Sequence, residues 1–329
     1  MWQDVLLEGT DLISEMKYVY AVYQEKSFSK AAKKLFISQP ALSNMVKKAE
    51  KEIGTPIFDR STIPLTVTKE GDYYIRSIEQ MLQIQKNMRE YFEDLGEMKQ
   101  GSLSLGGSSF FCSFVFPDII GKFRSKYPNI AIDLVEGNIK ELKEGLFEGT
   151  LDLVIETAVT AAEPLVQRIF YKNENIILAV PASFPINRRF QPYRLTHQDI
   201  VSEKYLKTSV EPVPLGSFKD TPFITLKPGN DIYNRSIAMC RNRGFSMRIV
   251  MELDQIMTSM NIACNGIGAL FVRADMIKYL PDDGRLIYYK LDDPLAQRTV
   301  SFVMKKGRYM TAAMREFLRL AGVRIPSQQ

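Results

Sequence analysis

Ser27-Phe28-Ser29-Lys30-Ala31-Ala32-Lys33-Lys34-Leu35-Phe36-Ile37-Ser38-Gln39-Pro40-Ala41-Leu42-Ser43-Asn44-Met45-Val46-Lys47-Lys48 is the stretch whose reading sets the fold. It reads as a short helix, a tight turn and a second helix that opens with small polar residues, the layout of a helix-turn-helix that reads DNA. Ser27 to Ser29 cap the first helix, Lys30 to Phe36, and Ala31, Ala32 and Leu35 form its packing face. Ser38 stands at the N-cap of the second, with Pro40 in the first turn, where a missing N–H costs nothing. Ala41, Leu42, Met45, Val46 and Ala49 supply an inner face, which leaves Gln39, Ser43, Asn44, Lys47 and Lys48 outside. Lys26, Lys30, Lys33, Lys34, Lys47 and Lys48 fall in this region with no acidic residue among them. Such a cluster neutralises phosphates and releases counterions, giving affinity without sequence preference. Lysines alone would mark only a solvated helix face; joined to this pattern they point to DNA.

Working outward, Leu12, Met16, Val19, Tyr20 and Tyr23 recur at helical spacing ahead of the motif. Beyond it Gly54 ends the second helix. Ile57 to Arg60 and Leu65 to Thr68 are β-type runs around Ser61-Thr62-Ile63-Pro64, a two-stranded wing. Thr68-Lys69-Glu70-Gly71 is a helix start, and the helix it opens runs unbroken to about Lys99. Tyr74, Ile78, Met81, Gln85, Met88, Phe92 and Leu95 make a heptad seam along it. An amphipathic helix packed on its own domain would show the same spacing. Its length, and its place between two globular parts, favour a dimer-forming linker in which Gln85 helps fix register.

From Gly101 strands and helices alternate: Leu103 to Leu105, a helix from about Phe111 to Lys126, Ile130 to Val135, Lys140 to Gly149, and Leu151 to Ile155. The pattern resumes with Asn175 to Val180, Tyr205 to Ser209, Phe223 to Leu226, Ile232 to Asn242, Met247 to Glu252, Gln255 to Cys264 and Ile267 to Val272. Val300 to Met304 and a helix over Met310 to Leu320 follow. The alternation implies an α/β domain with a mainly parallel sheet. The chain's 329 residues allow two or three domains, and 45% hydrophobic with 25% charged residues is ordinary for a soluble globular protein. The net charge of +5 is too modest to matter except locally. Met1 to Glu8 lack the basic-then-apolar order of a signal peptide, and no apolar run approaches the roughly 20 residues that cross a bilayer. Cys112, Cys240 and Cys264 show no metal-type spacing, so a reducing cytoplasm is expected, with no metal and no cofactor.

The phrases Ser27-Phe28-Ser29-Lys30-Ala31-Ala32, Ser38-Gln39-Pro40-Ala41-Leu42-Ser43, Ile53-Gly54-Thr55-Pro56-Ile57-Phe58-Asp59-Arg60 and Leu65-Thr66-Val67-Thr68-Lys69-Glu70-Gly71 resemble the LysR-type transcriptional regulators. Leu151-Asp152-Leu153-Val154-Ile155 and Asn265-Gly266-Ile267-Gly268-Ala269-Leu270 extend the likeness, more loosely, through the α/β part. Two departures are about ten additional residues at the start and Ala49, where the family commonly carries leucine. The resemblance implies a winged helix-turn-helix domain over 11–70, a dimerisation helix over 71–100, and a two-lobed effector domain like periplasmic solute-binding proteins. Crossovers near Tyr171 to Glu174 and Phe302 to Lys305 would make lobe one 101–171 plus 303–329 and lobe two 172–302.

By resemblance, Gln39, Pro40, Ser43, Asn44 and Lys47 lie on the recognition helix. The Gln39 and Asn44 amides suit bidentate pairing with adenine; Ser43 and Lys47 suit phosphates, which set register. Ser29 is either a phosphate contact or a plain cap. Arg60 reaches a phosphate or the minor groove, or else pairs with Glu50 or Glu52. In the cleft, Ser108 and Ser109 follow a glycine pair at a strand-to-helix junction, a ready anion site, with a routine cap as the alternative. Asn138 follows the next strand; Gly229 and Asn230 face the same space from the other lobe; Gln255 and Glu156 are weaker candidates, Glu156 having lysine pairing as its plainer role. The expected partners are double-stranded DNA, a small polar or anionic effector and a second copy of the chain. The family norm suggests tetramers, and RNA polymerase is a further expected partner. A redox sensor using Cys112 is the alternative. An enzyme is the remoter one, since no Ser-His-Asp set, metal cluster or phosphate loop can be assembled and His197, the only histidine, reads as a surface residue at a helix start.

Overall fold

The structure, a computed structural model, describes residues 10–94, 101–157 and 164–325, without the side chains of 10–14 and 93. Leu95 of the expected seam, the Leu12 side chain and residues 1–9 of the N-terminal extension lie outside what is described. The chain divides into two compact units. The first runs to Glu93 and takes in Gly307–Tyr309; the second holds the rest.

In the first unit α1 (Thr10–Glu25), α2 (Phe28–Lys34) and α3 (Gln39–Ile53) pack around Val19, Val22, Ala31, Leu42, Val46 and Ala49, all fully buried. Ala49 thus closes the core in leucine's stead. Ser27 caps α2 by accepting from Lys30 N–H, so Ser29 is inside the first turn rather than the cap. The helix stops at Lys34, earlier than its apolar spacing suggests, because Phe36 takes a left-handed φ of 55° and makes the turn. Ser38 caps α3 through Ala41 N–H, Pro40 sits in the first turn, and Gly54 ends the helix in the left-handed conformation. Met45, expected inside, is about one-third exposed. The wing is β1 (Phe58–Asp59) antiparallel to β2 (Thr66–Val67). Thr68 Oγ1 accepts from Gly71 N–H at 2.9 Å and so opens α4 (Lys69–Asp94). Tyr74, Ile75 and Ile78 of α4 bury into the three-helix core, so the first two seam positions serve packing within the chain.

The second unit begins with β3 (Gly101–Gly107) and a single π turn, Phe111–Val115, that leads into α5 (Phe116–Lys126). There follow β4 (Ile130–Glu136), α6 (Ile139–Glu148), β5 (Leu153–Thr157), the 16-residue β6 (Val166–Pro181), β7 (Arg194–Leu195), β8 (Pro222–Leu226), α7 (Asp231–Asn242), β9 (Arg248–Leu253), α8 (Ile256–Cys264), β10 (Leu270–Arg273), β11 (Leu286–Tyr289), β12 (Gln297–Lys305) and α9 (Ala312–Leu320). The main sheet runs β4-β3-β5-β12-β6-β11-β7, with β10 also on β6, while β8 and β9 pair beside it. Among the described residues parallel pairing joins β3 with β4 and β5, and β8 with β9, with one isolated parallel bridge from Phe223 to Ala269. β12 runs antiparallel to β5 and β6, and so do β10 and β11 to β6. The sheet is therefore mixed, not mainly parallel as the alternation suggests, because the strands that cross between lobes run against their neighbours. Tyr205 does not begin a strand; Lys204–Leu206 is a 3₁₀ turn.

β6 sets the two lobes. Val166 to Asn175 pair with β12, and from Ile176 onward the same strand pairs with β10 and β11. Gln297 already lies opposite Asn175, so the return strand joins lobe one several residues ahead of the crossover read near Phe302.

Candidate functional site

On the first unit, Gln39, Asn44 and Lys47 are exposed along α3, and Ser43 is partly so. These are the positions left over once Leu42, Val46 and Ala49 face the core, the consequence of a 3.6-residue repeat. Ser29 Oγ donates to Gln39 Oε1 at 3.3 Å, joining α2 to the start of α3. Pro40 is exposed beside them. Folding brings acids to two of the lysines: Lys34 Nζ lies 2.7 Å from Glu25 and Lys48 Nζ 3.2 Å from the buried Glu15. Lys26, Lys30, Lys33 and Lys47 are exposed and have no ion-pair partner among the described residues. Arg60 is engaged otherwise. Its Nη2 donates to Glu50 Oε2 at 3.0 Å, its Nη1 approaches Ser43 Oγ at 3.5 Å, and its guanidinium lies over the Phe28 ring at 4.9 Å. Glu50 also accepts from the Ile57 backbone N–H at 3.0 Å. The ion pair weighed against a DNA contact for Arg60 is thus formed, and it ties the wing to α3.

On the second unit, the expected cleft residues follow the C-terminal ends of the parallel strands, where open α/β sheets place ligands. Ser108 and Ser109 follow β3, Asn138 follows β4, Gly229 and Asn230 follow β8, and Gln255 follows β9. Two of them meet: Ser109 Oγ donates to Gln255 Oε1 at 2.5 Å, joining lobe one to lobe two. Ser108 is exposed at the head of the helical run. Asn138 accepts from the N–H groups of Lys140 and Glu141 in a capping box, and Asn230 accepts from Ile232 N–H at 2.9 Å. Both amides therefore act as helix caps here. Gly229 turns the chain at φ 93° ahead of α7. Glu156 does not face the cleft as a free carboxylate; it is buried and paired with Arg168 of β6.

Sequence reasoning passed over a second group at the same lobe junction. Arg298 of β12 and Glu174 of β6 are register partners and form a buried ion pair, and Arg273 at the end of β10 is buried beside them. The only signal was a lone charge inside an apolar strand, as in Leu270-Phe271-Val272-Arg273; its partners emerge only from strand pairing. Burial lowers the Arg273 guanidinium to about 10, Glu174 working against that fall.

The thiols are poor nucleophiles. Cys112, half-buried in the π turn, donates to Gly107 C=O at 3.3 Å, and burial, aided by Glu136, pushes its thiol up to about 11. Burial raises Cys240 to about 12. His197 is half-buried, its Nε2 2.9 Å from Leu280 C=O behind the Thr196 cap. Among the described residues no cluster of acidic, histidine or cysteine side chains could hold a metal, and no helix is long and apolar enough to cross a membrane.

The sequence profile described as the bacterial regulatory helix-turn-helix protein, lysR family, matches residues 13–72, and that of the LysR substrate binding domain matches residues 96–323. The chain belongs to the LysR family of transcriptional regulators. A probable RuBisCO transcriptional regulator of Emiliania huxleyi is 26% identical over 312 residues, covering 93% of this chain and 92% of the relative. The HTH-type transcriptional regulator YcgK of Bacillus subtilis is 28% identical over 320 residues, covering 94% and 93%. Among solved structures, a full-length cysteine-to-aspartate variant of OxyR from Pseudomonas aeruginosa superposes with a TM-score of 0.62 at 20% identity, covering 93% of each chain. That likeness fixes the fold: an N-terminal winged helix-turn-helix followed by a two-lobed effector domain. As a LysR-type regulator the chain couples a DNA-binding domain to an effector-binding one.

Proposed function

We propose that Gln39, Ser43, Asn44 and Lys47 of α3 enter the major groove, Gln39 and Asn44 reading bases while Ser43 and Lys47 hold phosphates. Ser29 and Pro40 flank the entry of that helix, and Arg60 holds the wing against it through Glu50. A small polar or anionic effector binds between the lobes near Ser108 and Ser109, with Asn138, Gly229, Asn230 and Gln255 on the loops around it. The observation that carries this reading is the exposed polar and basic row of α3, opposite a fully buried apolar one. Effector binding changes the Ser109–Gln255 contact and the balance of open and closed lobes, which requires different affinity for the two states.

The protein works in the cytoplasm, without an enzymatic step or further cofactor, as a dimer through α4 that pairs into tetramers and contacts RNA polymerase. From Met81 onward α4 shows Met81, Ile84, Met88, Tyr91 and Phe92 within one exposed stripe. Selection of sites from random duplex DNA by the purified protein, with Ser43→Ala plus Asn44→Ala as control, tests the reading. An interrupted palindrome recovered by the wild type alone supports a dimeric reader; no motif, or the same motif from the control, removes α3 from that role.

A further inference from the structure

Three guanidinium groups and two carboxylates meet where the crossing strands join the lobes. The Glu174 and Arg298 side chains are 0% and 1% exposed, and Arg298 Nε donates to Glu174 Oε1 at 2.5 Å. Arg298 Nη1 donates to Asp231 Oδ2 at 2.5 Å, and Asp231 is gripped in turn by Arg235 Nε at 2.9 and 3.0 Å. These four groups balance, and Arg273 is left over. Its side chain is 7% exposed; its Nη2 stands 3.6 Å from Glu174 Oε1, beyond hydrogen-bond distance, and its Nη1 has no hydrogen-bond partner among the described residues. The guanidinium lies instead over the rings of Phe110 and Phe111, 4.1 and 4.7 Å from their centroids. Asp275 gives no relief, being taken by Lys172 at 2.5 Å and Lys278 at 3.4 Å, and Lys278 pairs also with Glu203.

We propose that Arg273 is an anion-binding group of the lobe junction and that its ligand is a small organic monocarboxylate. The inference rests on the effector-cleft reading and deepens it. A buried cation that must share its one neighbouring carboxylate, Glu174, with Arg298 is costly, and aromatic faces offset only part of that cost. The excess is a single charge, which one carboxylate cancels and a phosphate dianion overshoots. A planar carboxylate also accepts two parallel N–H groups from one guanidinium. Phe110 and Phe111 offer an apolar wall for the body of such a ligand, and Ser109, adjacent in sequence, can donate to the carboxylate once its hydroxyl turns away from Gln255. Arg273 belongs to lobe two and the phenylalanines to lobe one, so an anion that draws the guanidinium off their rings alters the contact between lobes.

Thermal melting of the full chain, wild type and Arg273→Met, against aliphatic, aromatic and 2-oxo monocarboxylates, the matching amides and inorganic phosphate tests this. At least one carboxylate should raise the wild-type melting temperature by several degrees, its amide should not, and calorimetry should show at least tenfold weaker binding to R273M. The proposal is overturned by a wild type that no carboxylate shifts, by amides or phosphate acting as well, or by an equal response from R273M. If R273M does not fold, Arg273→Lys replaces it: the charge without the fork should keep a weakened response, and an unchanged one overturns the proposal. Gel shifts on the same wild-type preparations separate the two failures. Intact DNA binding with no carboxylate response sinks only this inference, whereas absent DNA binding sinks the regulator reading.

Discussion

A Cβ built on Gly71 would stand 2.1 Å from the Ile57 carbonyl oxygen and 2.8 Å from Val67 Cγ1, so the wing lies against the start of α4 only because this residue has no side chain. Gly71→Ala should destabilise the first unit by about 1–3 kcal/mol, read as a lower urea midpoint with parallel loss of DNA affinity; an unchanged midpoint would show that the wing moves aside freely. Cys112 makes a second residue-scale case. Unfolded cysteine titrates at about 8.5, while the folded thiol is raised to about 11 by burial. The folded state therefore favours the protonated form. That stability is complete below the unfolded value and is lost as pH rises toward the folded one. Wild type should lose melting temperature relative to Cys112→Ser between pH 8 and pH 11 and match it near pH 7, where C112S should also keep its effector response. A response lost in C112S at neutral pH would revive the redox reading.

At the scale of elements, β6 shows what a local reading misses. Its second half, Ile176 to Pro181, is an apolar run, but Gln167, Arg168, Lys172 and Asn173 interrupt the first half. That half is a strand because β12 pairs along its whole length. Tyr205 errs the other way: the neighbouring Glu203 adopts φ 57°, and the chain winds into a 3₁₀ turn rather than extending. The buried pair across β6 and β12 is an element-scale device, since strand register alone places Arg298 opposite Glu174. Glu174→Ala leaves the buried Arg298 and Arg273 without the carboxylate they share and should cost about 3–5 kcal/mol in denaturant unfolding of the second unit. Adding Arg298→Met should recover much of the loss; a double variant as weak as the single would mean that lost packing, rather than the uncompensated charge, matters.

For the whole molecule, Ile84 and Met88 are 67% and 58% exposed on α4, within the contiguous apolar stripe from Met81 to Phe92, the kind of patch that marks an interaction surface. Ile84→Glu plus Met88→Glu should turn a dimer into a monomer in sedimentation and weaken binding to a palindromic site far more than to a half-site; a dimer that survives would place self-association elsewhere. The helix-turn-helix, its caps, its inward and outward faces apart from Met45, and most of the α/β elements were legible in sequence, because a 3.6-residue repeat, Ser and Gly caps and apolar runs are local properties. That the loops at Ser108, Asn138, Gly229 and Gln255 follow strands was legible too, since apolar runs mark where strands end. Tertiary structure alone decided that Arg60 is held by Glu50, that Glu156 is spent on Arg168, that Asn138 and Asn230 cap helices, and that Arg273 is left with one charge in excess. Each of these depends on which distant side chain arrives within a few ångströms, and that is fixed by strand pairing and packing rather than by neighbours in the chain.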